Sequence, residues 1–503
     1  MRTLFDFAAK RAELSPDALA FAEFEPESKL SFAEFNARAE RGASLLERQF
    51  GSGDRIAVLC HNRTVFFELL FACGKIGAIL VPLNWRQTPS ELTPILLDCG
   101  ANMLLHDAPT APLAEALAAS TGVRLHAFAA YEQMCAETSP NMGRDAAWPS
   151  DRIWYLLYTS GTTGRPKAVI QTVGMGLANA INVQQATALS SLDRTVNFLP
   201  LFHTAGINLH TLPVFIAGGS STVLAKFEVD PLFDLIAAGR ISVFFGVPSI
   251  YQALSLSSRF AGADLSAVRH WGCGGAPLPE SLIRQYLSKG VRVCNGMGMT
   301  ETGPTVFLMD PARAAEKIGS VGKPQLLSQV RLVDVDGHDV KAGERGEILF
   351  RGPNITPGYY NNPAATAAAM TPEGWLRSGD IAYRDGEGYY FIVDRIKDMY
   401  ISGGENVYPA EVEDVLCNHP AVLEAAVIGV ADVRWGEVGH AAIRLRPGQA
   451  PAMEELRAFA RAHLAAYKVP KYLSVLEDFP RTAAGKVQKH ILRGTLCAQT
   501  SGG

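Results

Sequence analysis

The sequence predicts an α/β protein with a large N-terminal domain of doubly wound sheets, a small β region and a small α+β C-terminal domain. Short apolar strands alternate with amphipathic helices over residues 1–300, which is typical of parallel, doubly wound sheets. From residue 320 to 393, short strands are separated by Asp-Gly and glycine-rich turns, a pattern typical of antiparallel sheet. A compact unit of ~100 residues follows, a size that suits a separate domain.

Individual elements follow from these patterns. The first half is predicted to contain strands at Arg55–Cys60, Ile79–Pro82, Ala101–His106, Ile153–Leu157, Thr195–Pro200, Val243–Gly246 and Val268–Gly272, and a helix at Val65–Ala78. The β region is predicted at Val330–Val335, Gly346–Phe350 and Gly388–Val393. The last unit is predicted to have helices at Pro409–Asn418 and Ala452–Ala465 and strands at Ala425–Val430 and Tyr472–Leu476. We expect the boundary at Asp394–Asp398, which divides a domain of residues 1–394 from one of residues 395–503.

Composition narrows the class of protein. The chain has 503 residues, 48% of them apolar and 19% charged, with a net charge of −4, so neither disorder nor a nucleic-acid partner is expected. The eight cysteines include no Cys-x-x-Cys pair, which favours free thiols in a reducing compartment. The N-terminus becomes charged too early for a signal peptide, and no apolar run reaches the ~18–20 residues of a membrane span. We therefore expect a cytoplasmic protein without an integral membrane segment.

The string Tyr158-Thr-Ser-Gly-Thr-Thr-Gly-Arg-Pro-Lys-Ala-Val-Ile170 has the composition of an anion-binding loop. Its glycines permit unusual backbone conformations and close approach, while hydroxyls, N–H groups and a lysine can bind phosphate oxygens. It is not a Walker A loop, because Gly161 and Gly164 are too close together and Lys167 follows a proline.

The string resembles the phosphate-binding loop of the AMP-forming acyl-adenylate superfamily, which contains acyl- and aryl-CoA ligases, peptide-synthetase adenylation domains and beetle luciferases. The usual family loop ends Lys-Gly, and this one ends Lys167-Ala168, a small departure. Further strings follow in the family's order over essentially the whole chain: Gly272–Leu278, Asn295–Gly303, Gly374–Ile381, Asp394–Pro409 and Pro480–Lys489. The local sequence most resembles that of bacterial fatty-acyl-CoA and hydroxycinnamoyl (feruloyl-type) CoA ligases.

The resemblance implies a set of nucleotide-binding and catalytic residues. The ATP- and AMP-binding residues would be Thr159, Ser160, Gly161, Thr162, Thr163, Gly164, Lys167, Gly274, Gly275, Ala276, Pro277, Asn295, Gly296, Met297, Asp380, Ile392 and Arg395. Thr300 would bind the α-phosphate, Glu301 would help to hold Mg²⁺, and Lys486 would be the lysine of adenylation. Carboxylate and phosphate oxygens are the ligands that Mg²⁺ prefers. Many family members carry tyrosine at the position of Met297; methionine is apolar and adaptable, so we expect ATP binding to survive this departure.

The resemblance also implies residues for the second substrate and for the acid. Lys397 sits where the family has its hinge, and Ser402, Gly403 and Gly404 match the loop that lines the pantetheine tunnel. The acyl pocket would be lined by His203, Thr204, Ala205, Asn208, Gly298, Thr302 and Gly303. These residues are mostly small or apolar, which favours a hydrophobic acyl group.

The activity implied is AMP-forming carboxylate–CoA ligation with ATP, Mg²⁺ and coenzyme A. The acid stays open between an aryl-propenoate, such as ferulate or coumarate, and a fatty acid. An adenylation enzyme that loads a carrier protein is the alternative, although no carrier domain follows Leu496. A luciferase-like oxygenase and a non-catalytic AMP sensor are further alternatives. The expected partners are the small-molecule acid, ATP and CoA, and the sequence leaves a homodimer open.

Overall fold

The computed structural model describes residues 2–141, 143–144, 146–160, 166–482 and 485–500. The elements of the first part are β1 (Thr3–Phe5), α1 (Phe7–Leu14), β2 (Leu19–Glu23), β3 (Ser28–Ser31), α2 (Phe32–Leu46), β4 (Arg55–Leu59), α3 (Thr64–Ile76), β5 (Ile79–Pro82), α4 (Pro89–Cys99), β6 (Met103–His106), α5 (Ala111–Thr121), β7 (Arg124–Ala127), α6 (Phe128–Ala136), β8 (Ala147–Pro149), β9 (Ile153–Ser160), β10 (Pro166–Thr172) and α7 (Val173–Thr187).

The chain continues with a second set of elements. They are β11 (Arg194–Asn197), a π-helical turn (Ala205–Leu209), α8 (Thr211–Ala217), β12 (Ser220–Val223), α9 (Val229–Ala237), β13 (Val243–Gly246), α10 (Pro248–Leu256), β14 (His270–Cys273), α11 (Glu280–Leu287), β15 (Val293–Met297), a 3₁₀ turn (Thr300–Thr302), β16 (Phe307–Leu308) and β17 (Lys323–Pro324).

The last elements form the β region and the C-terminal unit. They are β18 (Gln329–Val333), β19 (Gly346–Arg351), α12 (Pro363–Ala369), β20 (Leu376–Arg384), β21 (Tyr390–Arg395), β22 (Tyr400–Ser402), β23 (Glu405–Val407), α13 (Pro409–Cys417), β24 (Val422–Asp432), β25 (Gly436–Leu445), α14 (Met453–His463), a 3₁₀ turn (Ala466–Lys468), β26 (Tyr472–Val475) and α15 (Lys489–Thr500).

Local signals in the sequence set the helix ends. Ser31 and Glu34 form a reciprocal capping box at the start of α2, which satisfies two backbone N–H groups that the helix itself leaves unpaired. α3 ends at Gly77 in the left-handed conformation, where a glycine avoids the steric cost of a side chain. Almost every residue of α3 is buried, as its apolar sequence predicts.

Three sheets of the N-terminal part have a parallel centre, as the alternating strands and helices predict. Their strand orders are β10-β9-β5-β4-β6-β7, β11-β12-β2-β3 and β13-β14-β15-β16-β17. The pairs β4/β5, β4/β6, β11/β12 and β13/β14 are parallel. In each sheet an antiparallel strand, β10, β3 or β16–β17, completes one edge.

The β region and the C-terminal unit also agree with the prediction. β18-β19-β20-β21 is a four-stranded antiparallel sheet. The C-terminal sheet has the order β23-β22-β25-β24, and β26 pairs with β25. α13, α14 and the sheet share a core that includes Val412, Leu416, Val427 and Leu456.

One local prediction was wrong. We expected a strand to end at Leu157 and a loop to follow, whereas β9 runs on to Ser160 and pairs with the antiparallel β10. The composition of the string does not reveal that Tyr158, Thr159 and Ser160 continue the strand. Residues 161–165 lie outside the described residues, so the strands flanking them are the part of the string that can be compared.

The core lies between the sheets. A cluster of aromatic rings on β2, α2, α3 and α8 packs at its centre, with Phe21, Phe35, Phe67, Phe71 and Phe215 at centroid distances of 5.0–5.6 Å. The cysteines whose side chains are described are free thiols. Within the described residues, no helix combines the length and the apolar character that crossing a bilayer requires.

Candidate active site

The described parts of the predicted phosphate-binding string lie on the paired antiparallel strands β9 and β10, called the β9–β10 hairpin below. Thr159 on β9 pairs with Lys167 on β10, so their side chains share one face of the hairpin. The Lys167 ammonium lies 5.3 Å from the centre of the Tyr359 ring. The predicted residues Gly161, Thr162, Thr163 and Gly164 lie outside the described residues, as does the side chain of Ser160.

A segment at residues 356–360 fastens this hairpin to the Thr300–Thr302 turn. The Tyr360 N–H donates to the Ala168 carbonyl at 2.8 Å, and the Thr356 N–H donates to the Glu301 carbonyl at 2.8 Å. Because one short segment bonds to both, the lysine of the hairpin and the carboxylate of the turn keep a fixed relation.

Tyr359 is a site residue that the sequence did not reveal. Its hydroxyl donates to Glu301 Oε1 at 2.9 Å, and its ring contacts Lys167. Burial and then the charge of Glu301 raise the pKa of the phenol, so the tyrosine stays protonated and acts as a donor. A lone tyrosine in a loop gives no signal of this role, because Glu301 is 58 positions away.

Thr300 and Glu301 are buried in the 3₁₀ turn that follows β15. Gln171 of β10 donates from Nε2 to the Thr300 carbonyl at 2.9 Å. Gly298 lies so close to the Pro304 carbonyl that a built Cβ would be 1.8 Å from its oxygen. The turn therefore depends on glycine at 298 and is held to the hairpin from a second side.

The two predicted ribose ligands lie side by side on neighbouring strands. Asp380 of β20 and Arg395 of β21 are register partners, and Arg395 Nε donates to Asp380 Oδ1 at 2.9 Å. The Asp380 side chain is 11% exposed and that of Arg395 is 44% exposed. The carboxylate is thus held in place while the guanidinium remains open to solvent.

The predicted adenine-binding strings meet at the ends of β14 and β15. A Cβ built at Gly274 would lie 3.1 Å from the Gly296 carbonyl oxygen, so the backbones of the two strings are in close approach. Ala276 and Pro277 are exposed beyond the strand. Met297 of β15 and Ile392 of β21 pack on the same apolar cluster, and Asn295 precedes Met297 on β15.

Lys486 reaches this region from the C-terminal unit. Its loop is closed by a bond from the Thr482 N–H to the Lys486 carbonyl at 2.7 Å. A Cβ built at Gly275 would lie 3.9 Å from Lys486 Cε, and one built at Gly485 would lie 3.1 Å from Ser249 Oγ. The loop therefore rests on the segment that follows β14 and on the start of α10.

The charges around Lys486 come from several elements. Desolvation by the surrounding protein lowers the pKa of its ammonium, as do the charges of Arg395 and Lys397, while Asp380 and Glu301 oppose them. Lys486 nevertheless keeps surface exposed to solvent. The structure thus brings the predicted lysine together with the predicted ribose and metal residues.

The predicted acyl-pocket residues converge beside the Thr300–Thr302 turn. Asn208 Nδ2 donates to the Gly303 carbonyl at 3.2 Å and to Thr204 Oγ1 at 3.4 Å. Thr302 Oγ1 bonds the Pro304 carbonyl at 3.1 Å. The π-helical turn that begins at Ala205 carries Asn208 to this contact.

His203 connects the acid side to Lys486. Its Nδ1 accepts from the Ala205 N–H at 3.2 Å, which leaves the proton of the neutral ring on Nε2. Burial and then the charge of Lys486 lower the pKa of His203 to about 4. The imidazole is therefore neutral near pH 7 and can donate a hydrogen bond without adding charge.

The predicted tunnel residues lie in a separate hairpin, whereas the predicted hinge Lys397 is near enough to Lys486 for its charge to lower the pKa of that lysine. Lys397 is exposed in the turn between β21 and β22. Ser402 and Gly403 lie in the β22–β23 hairpin, where the Gly403 N–H donates to the Trp435 carbonyl at 2.8 Å. Gly403 and Gly404 have φ angles of 61° and 89°, which favour glycine. Among the described residues, no hydrogen bond joins this hairpin to Lys486.

Comparison with known proteins identifies the family. A model of the AMP-binding enzyme family matches residues 8–360, and a model of the AMP-binding enzyme C-terminal domain matches residues 411–486. The chain belongs to the AMP-binding enzymes. It is 42% identical to a feruloyl-CoA synthase of Amycolatopsis over 97% of this chain and 98% of that protein. It is 34% identical to a long-chain-fatty-acid–CoA ligase of Mycobacterium tuberculosis over 96% of each chain.

A solved structure of another family member has the same fold. The o-succinylbenzoate CoA synthetase from Bacillus subtilis, in complex with ATP and a magnesium ion, matches with a TM-score of 0.88 and 31% identity, over 98% of this chain and 100% of that one. The resemblance inferred from the motifs is therefore confirmed at the level of family and fold.

Proposed function

We propose that the protein is an AMP-forming carboxylate–CoA ligase that acts on aryl-propenoates of the ferulate and coumarate type. The carboxylate attacks the α-phosphorus of ATP and displaces pyrophosphate, which gives an acyl-adenylate. The CoA thiol then attacks the acyl carbon, AMP leaves, and the thiol proton is released. The observation that carries this proposal is the approach of Lys486 to Gly275, beside Asp380, Arg395 and Glu301.

The residues present fit ATP and Mg²⁺. Gly275 exposes backbone without a side chain, against which a flat base can lie, and it needs glycine because its φ is 87°. Glu301 has its Oε1 bonded to Tyr359 and its other oxygen free of that bond, which suits a hard cation. A bound Mg²⁺ would supply positive charge to the phosphate oxygens. Asp380 can accept hydrogen bonds from a vicinal diol.

Lys486 and His203 have complementary roles in the first step. The substrate carboxylate must approach an α-phosphate that is also negative, so catalysis depends on neutralising charge and fixing geometry. Lys486 supplies a positive charge from the C-terminal unit. His203 supplies a neutral N–H donor on the acid side. It can therefore donate a hydrogen bond to the carboxylate and position it without adding charge.

The second step requires a rearrangement in this proposal. Lys486 and the Ser402–Gly404 hairpin belong to one C-terminal domain, residues 395–503, and would serve different steps. Rotation about Lys397 would withdraw Lys486 and bring the hairpin to the cleft, where glycines without side chains leave room for the thiol arm of CoA. We expect Lys397→Pro to spare adenylate formation and to stop thioester formation. Equal loss of both partial reactions would remove the hinge assignment.

The choice of acid rests on similarity. The feruloyl-CoA synthase is more alike at 42% identity than the fatty-acid–CoA ligase at 34%. One relative is named a CoA synthase and the other a CoA ligase, so loading of a carrier protein is not favoured. The free cysteines suit a reducing, cytoplasmic location, and a homodimer is testable by light scattering.

The test is pyrophosphate release over a panel of acids. Ferulate, 4-coumarate, benzoate, anthranilate and fatty acids of several lengths would be compared, each with and without CoA, and thioester formation followed by mass. We expect aryl-propenoates to give the highest kcat/KM and to need CoA for turnover. If only the fatty acids were turned over, the proposed substrate class would change to fatty acids. Pyrophosphate release that does not depend on any acid would overturn the proposed function.

A further inference from the structure

His270 lies on the sheet face that carries Gly272 and Gly274, and His210 packs against that face. His270 and Gly272 of β14, and Gly274 directly after the strand, alternate onto one face. Phe245 of β13 is the register partner of Gly272. A Cβ built at Gly272 would lie 2.6 Å from Phe245 Cδ2, and one at Gly274 would lie 2.9 Å from Phe245 Cζ. The Phe245 ring therefore covers the two glycines on the same face as His270.

His210 belongs to a different part of the chain and packs against this face of the sheet. It stands between the π-helical turn of Asn208 and the start of α8. Its ring lies edge-on to Phe245 at a centroid distance of 5.9 Å and 6.2 Å from the ring of His270. Phe245 and the two imidazoles therefore form one contiguous wall.

Both imidazoles are buried without complete hydrogen bonding. His210 is 5% exposed and His270 is 3% exposed. His210 Nδ1 and His270 Nε2 have no hydrogen-bond partner among the described residues. A buried polar atom without a partner costs free energy and calls for a functional or structural reason.

The wall lies at the end of β14 that is remote from Lys486. The ammonium arm of Lys486 approaches Gly275, and the strand runs from there through Gly274 and Gly272 back to His270. At ~3.3 Å per residue, the Cα atoms of Gly274 and His270 are about 13 Å apart. An acid whose carboxylate is at Lys486 would therefore direct its far end toward the two histidines.

The histidines are neutral at physiological pH. Burial, then His270 and Arg269, lower the pKa of His210 to about 3. Burial and then Arg269 lower the pKa of His270 to about 4, and Asp193 opposes this weakly in both cases. Each neutral ring offers one N–H donor and one acceptor nitrogen. A hydroxyl, which both donates and accepts, can satisfy such a pair, whereas a hydrocarbon end cannot.

We propose that His210 and His270 bind a ring hydroxyl of the acyl group, and so select hydroxylated aryl acids over hydrocarbon acids of the same shape. This assignment rests on the proposed ligase function and specifies its substrate. Pockets built to bind a hydroxyl discriminate strongly against analogues that lack it, because their own buried groups are then left unpaired. Apolar contacts with the same ring discriminate far less.

The first experiment uses the unchanged protein. Pyrophosphate release is measured with 4-hydroxycinnamate, cinnamate and 4-methylcinnamate, the last of which replaces the hydroxyl by a methyl of similar size. We expect kcat/KM for 4-hydroxycinnamate to exceed that of both others by at least about tenfold. Equal values for the three acids would overturn the role of the histidines.

The second experiment removes the ring nitrogens. His210→Phe and His270→Phe should each reduce the preference for 4-hydroxycinnamate over cinnamate by about tenfold, with cinnamate turnover retained. His210→Asn and His270→Gln, whose amides donate and accept, should restore part of the preference. His419→Phe, a buried histidine on Phe459 of the C-terminal unit, is the matched control and should leave it unchanged. A preference that survives both phenylalanine variants would contradict the assignment.

A binding measurement separates selection from catalysis. The dissociation constant of 4-hydroxycinnamate, measured by equilibrium dialysis in the presence of AMP, should rise in the phenylalanine variants while that of cinnamate stays constant. Failure of the histidine assignment and failure of the proposed function give different results. Activation of cinnamates without hydroxyl preference leaves the ligase function intact and removes the histidine assignment. Activation of no aryl acid at all removes the proposed substrate class itself.

Discussion

The nucleotide end and the acyl end of the cleft are built differently. At the nucleotide end the carboxylates already have partners: Asp380 bonds Arg395 and Glu301 bonds Tyr359. At the acyl end, His210 and His270 keep buried ring nitrogens without a partner among the described residues. The comparison teaches that geometry common to all substrates can be fixed within the protein, whereas the end that distinguishes acids leaves hydrogen bonds for the substrate to complete.

The largest expected effect is at Lys486, which belongs to neither end of the N-terminal cleft. Lys486→Ala should lower the rate of adenylate formation by ~10²–10³, as removal of one preorganised electrostatic donor does. The reaction of a synthetic acyl-adenylate with CoA should keep its rate, because that step does not use this charge. Single-turnover assays of each half-reaction measure this, and an equal loss in both would show that the lysine acts only through folding.

The next effect concerns the pH dependence of stability at the acyl end. His210 and His270 have folded-state pKa values of about 3 and about 4, below the unfolded value of ~6.5. Between these values the unfolded chain binds more protons, so the free energy of unfolding falls as pH drops from 6.5 toward 4. Linkage gives about 2 kcal/mol per histidine at pH 5 relative to pH 7.

Urea unfolding at pH 5 and pH 7 measures this loss. The double variant His210→Phe, His270→Phe should lose less stability over that interval than the unchanged protein, provided both unfold with similar slopes. The same loss in both proteins would show that the two imidazoles are not held neutral by burial.

A smaller effect is expected at the nucleotide end. Tyr359→Phe removes only the hydroxyl that bonds Glu301, and loss of a hydrogen bond to a charged group costs ~1.5–3 kcal/mol. We expect about a tenfold or greater rise in the Mg²⁺ concentration for half-maximal pyrophosphate release, with Tm nearly unchanged. Tyr360→Phe is the control, since it keeps the backbone bond to Ala168. An unchanged Mg²⁺ requirement would show that Glu301 is positioned by other contacts.

The smallest effect tests the wall of the acyl end. A Cβ at Gly272 would contact Phe245 Cδ2 at 2.6 Å. Gly272→Ala should therefore displace the Phe245 ring and narrow the space proposed for the acyl group. We expect a several-fold lower kcat/KM for aryl acids, of the order found for a change of one methyl group in an apolar pocket, and an unchanged KM for ATP. A rise in the KM for ATP of the same size would place Gly272 at the nucleotide end.

The sequence determined the class of the fold and the strings of the nucleotide end by itself. Alternating apolar segments predicted the parallel sheets, and the strings around Thr300, Asp380 and Lys486 were recognisable because each is contiguous. Their local chemistry, glycines beside hydroxyls and carboxylates, is visible without knowing which strands are neighbours. The extent of β9 was mispredicted, because a polar sequence can continue a strand when a partner strand supplies its hydrogen bonds.

Only the tertiary structure decided which distant residues meet. Tyr359 reaches Glu301, and His210 faces His270, through strand register and helix packing that no local pattern encodes. The physical reason is that burial and proximity are properties of the folded chain. An isolated tyrosine or histidine in the sequence has ordinary pKa and hydrogen-bonding behaviour, and it takes on a specific role only when packing removes water from it.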